Sequence, residues 1–395
     1  GRFVAQHFPK QPCHAVMYRS PVAHAKIRCL SLAKARAVPG VHAVVGQAEL
    51  DRSGCGPMRS RTPVTSLDGS SMIEPERPVL ARDAVKYAGQ PVAFIVAETE
   101  AAALDGLDAI EADYENLPVV IGTDQATAEG NPEVWGEAPG NLSFVWQLGN
   151  GDETERAIAE AAHVTRLTVA HPRIVISPIE PRGALGEFDV ESGRYTLTTP
   201  SQGTVSLRAS MAEILNVSES SVRVVTHDVG GSFAVKIWPY PEQALVLFVA
   251  RMLERPVKWV SSRSESSVAD AQGRARIDHG TLALDASGRF LAFQIQADGD
   301  LGAYLNTVAP SVFTSGACRT FGHNYDIPCL HYRVRGLFTN TPPTDAYRGA
   351  GKPESVGTLE RLIDVAAAEL GMDRTELRRR NLIQSANIPH ATSMG

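Results

Sequence analysis

The stretch Asp228-Val229-Gly230-Gly231-Ser232-Phe233-Ala234-Val235-Lys236 constrains the fold of this chain more than any other. It follows Val222 to Thr226, a β-branched run that reads as a strand. It precedes Glu242 to Leu253, which is apolar on nearly every face and so reads as a buried helix ended by Arg255-Pro256. Paired glycines let a backbone approach a ligand closely and expose amide N–H groups to an anion or an oxygen. The helix that follows is expected to add the positive end of its dipole. A tight strand-to-helix connection has the same glycine requirement. The pattern is neither a Walker loop nor a G-x-G-x-x-G fingerprint.

A second glycine-rich turn, Ala346-Tyr347-Arg348-Gly349-Ala350-Gly351-Lys352, lies about 115 residues further on and carries a guanidinium. Arg348 there can steady a developing oxyanion or position a cofactor, or it can simply pair with Asp345 or Glu354. Gln202, in Thr199-Pro200-Ser201-Gln202, offers both a donor and an acceptor at a strand end, where many glutamines are merely solvated. The histidines lack metal-ligand spacing. Ser201 and Ser232 lack the G-x-S-x-G elbow of a hydrolase nucleophile.

Composition excludes several classes. A net charge of −6 without a basic block argues against nucleic acid and anionic membranes. No apolar run approaches the ~20 residues of a membrane helix. Five scattered cysteines, never Cys-x-x-Cys, argue against a disulfide framework, a zinc site or an iron–sulfur cluster held by this chain alone, and fit a reducing cytoplasm. At 395 residues the chain is long enough for two or three domains.

The expected elements start with a strand-like run within Val16 to Ile27, a short helix over Leu32 to Ala37 and a strand from His42 to Val45. Gly46 to Glu76 reads as a long surface loop, functional or mobile. Val92 to Ala97 reads as a strand and Thr99 as the cap of a helix, with strand-like pieces at Ala112 to Tyr114 and Val119 to Ile121. Residues 1–126 then form one α+β unit, 127–150 a Pro/Gly-rich linker, and 151–395 a second unit. The second unit is expected to hold a helix from Asp152 to Ala162 capped by Asp152 or Thr154. Its strands are expected at Val164 to Ala170, Gly183 to Asp189, Tyr195 to Thr198 and Val257 to Val260. A helix is expected over Ser206 to Leu215, a strand pair around Asp285 to Gly288, a helix over Val356 to Leu370, and a polar tail after Asn381.

With both turns in this order, the chain resembles the molybdenum-cofactor subunit of the molybdenum hydroxylases, the xanthine dehydrogenase and aldehyde oxidase family. Arg19-Ser20-Pro21-Val22-Ala23-His24-Ala25, Lys86-Tyr87-Ala88-Gly89-Gln90-Pro91 and Asp113-Tyr114-Glu115-Asn116-Leu117-Pro118 are similar to segments of its N-terminal α/β hammerhead domain. Glu180-Pro181-Arg182-Gly183-Ala184, Arg255-Pro256-Val257-Lys258 and Gly302-Ala303-Tyr304 are similar to pieces of its next domain. The series is colinear over nearly the whole chain. The fold it implies is α+β, a hammerhead domain followed by the first molybdopterin-binding domain.

The resemblance also implies roles. Gln202 matches the glutamine that bonds an oxygen ligand of molybdenum. Gly230, Gly231, Ser232, Phe233 and Ala234 match the turn on the pterin. Arg348, Gly349 and Ala350 match the loop beside the metal, so Gln202 and Arg348 are the expected catalytic residues. No side chain ligates the metal, because the pterin dithiolene does. Ala234 stands where many members have Gly. The Arg348 loop lacks the cysteine of copper-containing carbon monoxide dehydrogenases. Ile237 replaces a Glu of purine-oxidising members, and Ala350 replaces an aromatic of others, which leaves more room.

The family's general base, a Glu in a Gly-Val-Gly-Glu segment of the second cofactor-binding half, has no counterpart here; Glu180 and Glu354 are the carboxylates on hand, with Glu180 read as structural. The resemblance therefore implies the larger piece of a split hydroxylase, with the base supplied by another polypeptide or a further C-terminal part. It implies a molybdopterin, in bacteria generally the cytosine dinucleotide form, with [2Fe-2S] and FAD on partner subunits, and oxidation of an N-heterocycle or aldehyde. Two other classes stay open: a non-catalytic scaffold of the same fold, and a hydrolase or small-molecule binding protein that uses the turns for geometry alone.

Overall fold

The structure, a computed structural model, describes residues 1–7 and 9–394; Phe8 and Gly395, the end of the unit expected over 151–395, lie outside the described residues. Helices and strands are mixed as the α+β expectation requires, around three sheets. The largest has seven strands, in the order Val222–Val225, Arg194–Thr198, Gly183–Asp189, Val257–Val260, Cys13–Arg19, Pro91–Ala97, Val41–Val45. Cys13 lies opposite Val257 in a parallel pairing, so strands from the N-terminal quarter and from the middle of the chain form one continuous sheet.

A five-stranded sheet follows the order Leu142–Gly149, Cys329–Phe338, Phe290–Gly302, Gly273–Leu284, His163–Ile174. Its core includes Phe144, Phe293, Phe313, Phe338 and Leu362. Ala84–Val85, Ala25–Ser31 and Glu111–Asn116 form a small third sheet.

The helix Pro241–Leu253 is buried along nearly its whole length against the seven-stranded sheet. Backbone meets backbone there: a Cβ on Gly186 would lie 2.4 Å from Val246 carbonyl atoms, which only glycine avoids. The same helix carries a buried charge. Glu242 accepts from Arg19 of the first strand at 2.5 Å and from Arg182 at 3.0 Å. Arg182 also bonds Asp270 at 2.6 Å and stacks over Tyr240, 3.6 Å from the ring centre. The opposing charges hold the Glu242 carboxyl down at about 2, against the burial that raises it. Arg19 thereby locks the N-terminal strands to the helix that follows the first glycine turn.

Several expectations are corrected. The segment expected as linker ends in the edge strand Leu142–Gly149, whose alternation of Leu142, Phe144, Trp146 and Leu148 against the sheet was masked by the Pro/Gly-rich residues before it. The long loop opens with a helix, Gln47–Arg52, whose Glu49 side chain accepts the Gly46 N–H at 3.0 Å. Val119 to Ile121 is not a strand; Val120 is instead bonded on both sides by Asn340, which uses its side-chain carbonyl and its backbone N–H. The helix at Gly151–Glu160 is capped by Asn150, two residues before Asp152 and four before Thr154, the expected caps. Thr99 caps its helix as expected, accepting from Ala102 N–H. No helix among the described residues is long and apolar enough to cross a membrane.

Candidate functional site

The two glycine turns meet. The Arg348 N–H donates to the Phe233 carbonyl at 3.3 Å. Beneath them Val235, Trp238, Tyr240, Val312 and Ala346 form a small apolar cluster, and Ala234, Ile237, Tyr347 and Ala350 pack on it. Residues 115 apart in sequence thus share one floor.

The first turn is fixed by polar side chains. Gln202 Oε1 accepts from the Ser232 hydroxyl and from Ala234 N–H, the latter at 3.0 Å. Ser232 Oγ in turn accepts from Lys236 N–H at 3.0 Å, and Gln202 N–H donates to the Lys236 carbonyl. Glu180 Oε2 accepts from Gly230 N–H at 2.7 Å and from Lys236 Nζ at 2.8 Å. Burial pushes the Lys236 ammonium down, and Glu180 opposes that shift. Glu180 is therefore tied into the turn, as its structural reading expects.

Polar capacity is left over. Among the described residues the N–H groups of Gly231, Ser232 and Phe233 make no hydrogen bond, nor does the Gln202 amide nitrogen. Phe233, Ala234 and Gly231 all have positive φ, of 51, 84 and 90°. Phe233 is 43% exposed, unusual for a large apolar side chain beside a buried cluster. One expectation fails: the helix that should lend its dipole starts at Pro241, several residues after the turn, because 232–237 form a separate turn.

The second turn does sit on a helix start. Gly351 is the N-cap of Lys352–Glu369, which begins four residues earlier than expected. Arg274 backs the turn, donating to the carbonyls of Tyr347 at 3.2 Å and Arg348 at 2.9 Å, and pairs with buried Glu354. Asp345 is buried too, accepting from Val308 N–H at 3.1 Å and Ala346 N–H at 2.6 Å; burial raises its carboxyl to about 7. Asp345 and Glu354, the two carboxylates read from sequence as partners for Arg348, are thus engaged elsewhere. The Arg348 side chain is exposed and makes no ion pair among the described residues.

The arrangement brings together Gln202, Gly230 to Ala234 and Arg348 to Ala350, all anticipated from sequence. Lys236, at the end of the first glycine stretch, and Asp345, read from sequence as a partner for Arg348, complete it together with Arg274, which carried no motif in its ordinary strand pattern. The residues fit a large polar group rich in acceptor oxygens. Three successive free N–H groups, a free carboxamide NH2 and an unpaired guanidinium are all donors, and the paired glycines leave no side chain in the approach. No cluster of three His, Cys, Asp or Glu that could hold a metal ion occurs among the described residues.

Comparison with known proteins gives the arrangement its relatives. Residues 134–382 match the molybdopterin cofactor-binding domain, and residues 2–118 match the aldehyde oxidase and xanthine dehydrogenase a/b hammerhead domain. The chain is 31% identical over 396 residues to the carbon monoxide dehydrogenase large chain of Hydrogenophaga pseudoflava, covering 97% of this chain and 48% of that one. It is 29% identical over 384 residues to the nicotinate dehydrogenase large molybdopterin subunit of Eubacterium barkeri, covering 97% of this chain and 85% of that one. The solved quinoline 2-oxidoreductase from Pseudomonas putida 86 superimposes with a TM-score of 0.92 at 30% identity, over 100% of this chain and 49% of that one. The chain spans about half the length of most of the relatives it matches. Its two matched domains, in this order and over this geometry, make it a member of the aldehyde oxidase and xanthine dehydrogenase family of molybdenum-dependent oxidoreductases.

Proposed function

We propose that this chain supplies one wall of a molybdopterin cleft in a multi-subunit hydroxylase or dehydrogenase that oxidises an N-heterocycle or an aldehyde. The observation that carries the reading is the pair of touching turns with unused donors: Gly231, Ser232 and Phe233 N–H, the Gln202 amide and the Arg348 guanidinium. When bound, the cofactor supplies two-electron redox chemistry coupled to transfer of a water-derived oxygen.

The chain's own residues bind and orient. Within the Gly230 to Ala234 turn, Gly231, Ser232 and Phe233 present backbone donors at close range, as oxygen acceptors of the pterin require. Gln202, held by Ser232 and Ala234 through its carbonyl, is left to donate through its nitrogen. Arg348, with Gly349 and Ala350, brings a permanent positive charge to the turn that meets Phe233, available to stabilise negative charge as it develops. Glu180 and Glu354 are both held in ion pairs, so neither serves as the proton acceptor. The base is a carboxylate on the second cofactor-binding half, carried on another chain.

Electrons leave through [2Fe-2S] and FAD subunits, and the cofactor is the cytosine dinucleotide form, in a cytoplasmic complex. Relatives named for nicotine, nicotinate and quinoline favour an N-heterocycle. The test is turnover of the purified complex in H2(18)O: label in the hydroxylated or carboxylic product is expected, and unlabelled product, or hydrolysis alone, contradicts the reading.

A further inference from the structure

The strand Gly273–Leu284 begins with a distortion that its pairing does not explain. Arg274 and Ala275 both lie in the left-handed region, with φ of 62 and 60°. Neither is glycine, so the conformation is disfavoured at both. The register opposite them runs unbroken, from Arg274 facing Arg173 to Arg276 facing His171. Between those two partners lies Pro172, which has no N–H to give. The strained pair therefore adjoins a rung that is missing from the ladder. Strain of this kind persists only where the surroundings over-determine it.

The surroundings are two arginines, one on each side of the kink. Arg274 reaches the second glycine turn. Gly273 before it abuts that turn, since a Cβ there would lie 2.3 Å from the Tyr347 Cβ. The Arg274 guanidinium sits 4.7 Å over the Tyr347 ring and donates to the carbonyls of Tyr347 and Arg348. It is the one side chain among the described residues that hydrogen-bonds the Tyr347 to Ala350 backbone.

Arg276 enters the core instead, 1% exposed and paired with Asp278 at 2.6 Å. It donates to the Ser355 hydroxyl at 3.3 Å, and Ser355 donates to the Gly351 carbonyl at 3.4 Å. It also donates to the Tyr332 hydroxyl at 3.2 Å, which donates to the Phe313 carbonyl at 2.7 Å. Phe313 follows Val312, the residue that Gly351 abuts. Asp278 accepts from Thr358 at 2.7 Å, further along the helix that Gly351 starts. Arg274 thus holds the beginning of the second turn and Arg276 its end. Arg348 lies between, and with no ion pair of its own its direction follows the backbone of the turn.

We propose that the left-handed pair Arg274–Ala275 is a positioning device for Arg348. The Arg276–Asp278 pair anchors the kink, the kink aims Arg274 at the Tyr347 and Arg348 carbonyls, and those bonds fix where the Arg348 guanidinium enters the cleft. Arg274 is a positioning residue, acting through Arg348. The inference rests on the function proposed above and adds the element that orients its cation.

The experiment uses the natively isolated complex. Amide exchange over residues 346–352 reports the turn, and the Mo(V) resonance after dithionite reduction reports the charge near the cofactor. Arg274→Ala is expected to speed exchange of the Arg348 and Ala350 N–H groups about tenfold or more. It is also expected to displace the Mo(V) g values in the direction that Arg348→Ala does. The double variant is expected to match Arg348→Ala alone, because Arg274 has no other route to the cofactor. Ala275 separates conformation from packing. Valine is strongly disfavoured at that φ, so Ala275→Val is expected to speed the same exchange about fivefold. Glycine accepts the φ freely, so Ala275→Gly is expected to leave it within about twofold. If Ala275→Val does not fold, Arg274→Ala and the double variant decide.

Faster exchange in Ala275→Gly than in Ala275→Val overturns the proposal, because the methyl group would then matter and not the kink. So does an unmoved resonance in Arg274→Ala, or a further displacement when Arg274→Ala is added to Arg348→Ala. If the unaltered complex holds molybdenum and Arg274→Ala changes neither reading, the positioning role fails and the function stands. If exchange follows the expected order but molybdenum is absent, the kink stands as the holder of the turn and the function fails.

Discussion

The two glycine turns touch, yet they are held by opposite means. The first is a polar construction: Gln202, Ser232, Glu180 and Lys236 position it by hydrogen bonds, while Phe233 and three backbone N–H groups stay open. The second is fixed by contact. A Cβ on Gly351 would lie 2.2 Å from the Val312 carbonyl oxygen, and one on Gly349 2.5 Å from the Pro353 ring. Packing leaves little freedom to adapt, whereas a hydrogen-bonded turn with spare donors can bind without repacking a core. The comparison assigns ligand contact chiefly to the first turn and the rigid reference frame to the second.

Breaking the frame should have the largest effect. Gly351→Ala adds a methyl against backbone at a φ of +87°, so a loss of about 3 kcal/mol or more is expected in urea unfolding. Glu180→Gln in the first turn leaves Lys236, 1% exposed at its side chain, without its anion; a loss of about 2 kcal/mol is expected.

Asp345 gives a pH signature. Its carboxyl is raised from an ordinary 3.8 to about 7, so the folded state holds a proton that the unfolded state has released. Its contribution is full below about 3.8 and is lost as pH rises through about 7. Asp345→Asn should lose about 1 kcal/mol at low pH and flatten that part of the stability profile. An unaltered slope would mean that Asp345 is not its source.

The smallest effect should be favourable. Ala234 adopts a φ of +84° that glycine tolerates freely, so Ala234→Gly should gain about 0.5 kcal/mol after the entropy cost of glycine. A loss instead would show that the Ala234 methyl matters to the cluster beneath it.

Much of this was readable in the sequence, for physical reasons. The strands at Gly183–Asp189 and Val257–Val260 and the buried helix near Glu242 have runs whose hydrophobicity alone decides their burial. Both turns were visible because glycine pairs are dictated by backbone geometry. What stayed hidden depends on distant partners. The strand Leu142–Gly149 pairs with Cys329–Phe338, nearly two hundred residues away, and its own composition is ambiguous. Arg274 lies in an ordinary strand pattern, and nothing local says that it holds the second turn. The Gly46 to Glu76 loop, glycine- and proline-rich, gave no sign that its Arg61 N–H docks on the Thr307 carbonyl.

The central claim is that the two turns together cradle a molybdenum cofactor. Its most direct test is the molybdenum content per chain of the natively isolated complex, grown with ample molybdate and measured by elemental mass spectrometry. About one atom per chain, falling severalfold in Gln202→Ala with the fold intact, is the expected result. No molybdenum in the unaltered complex would contradict the account.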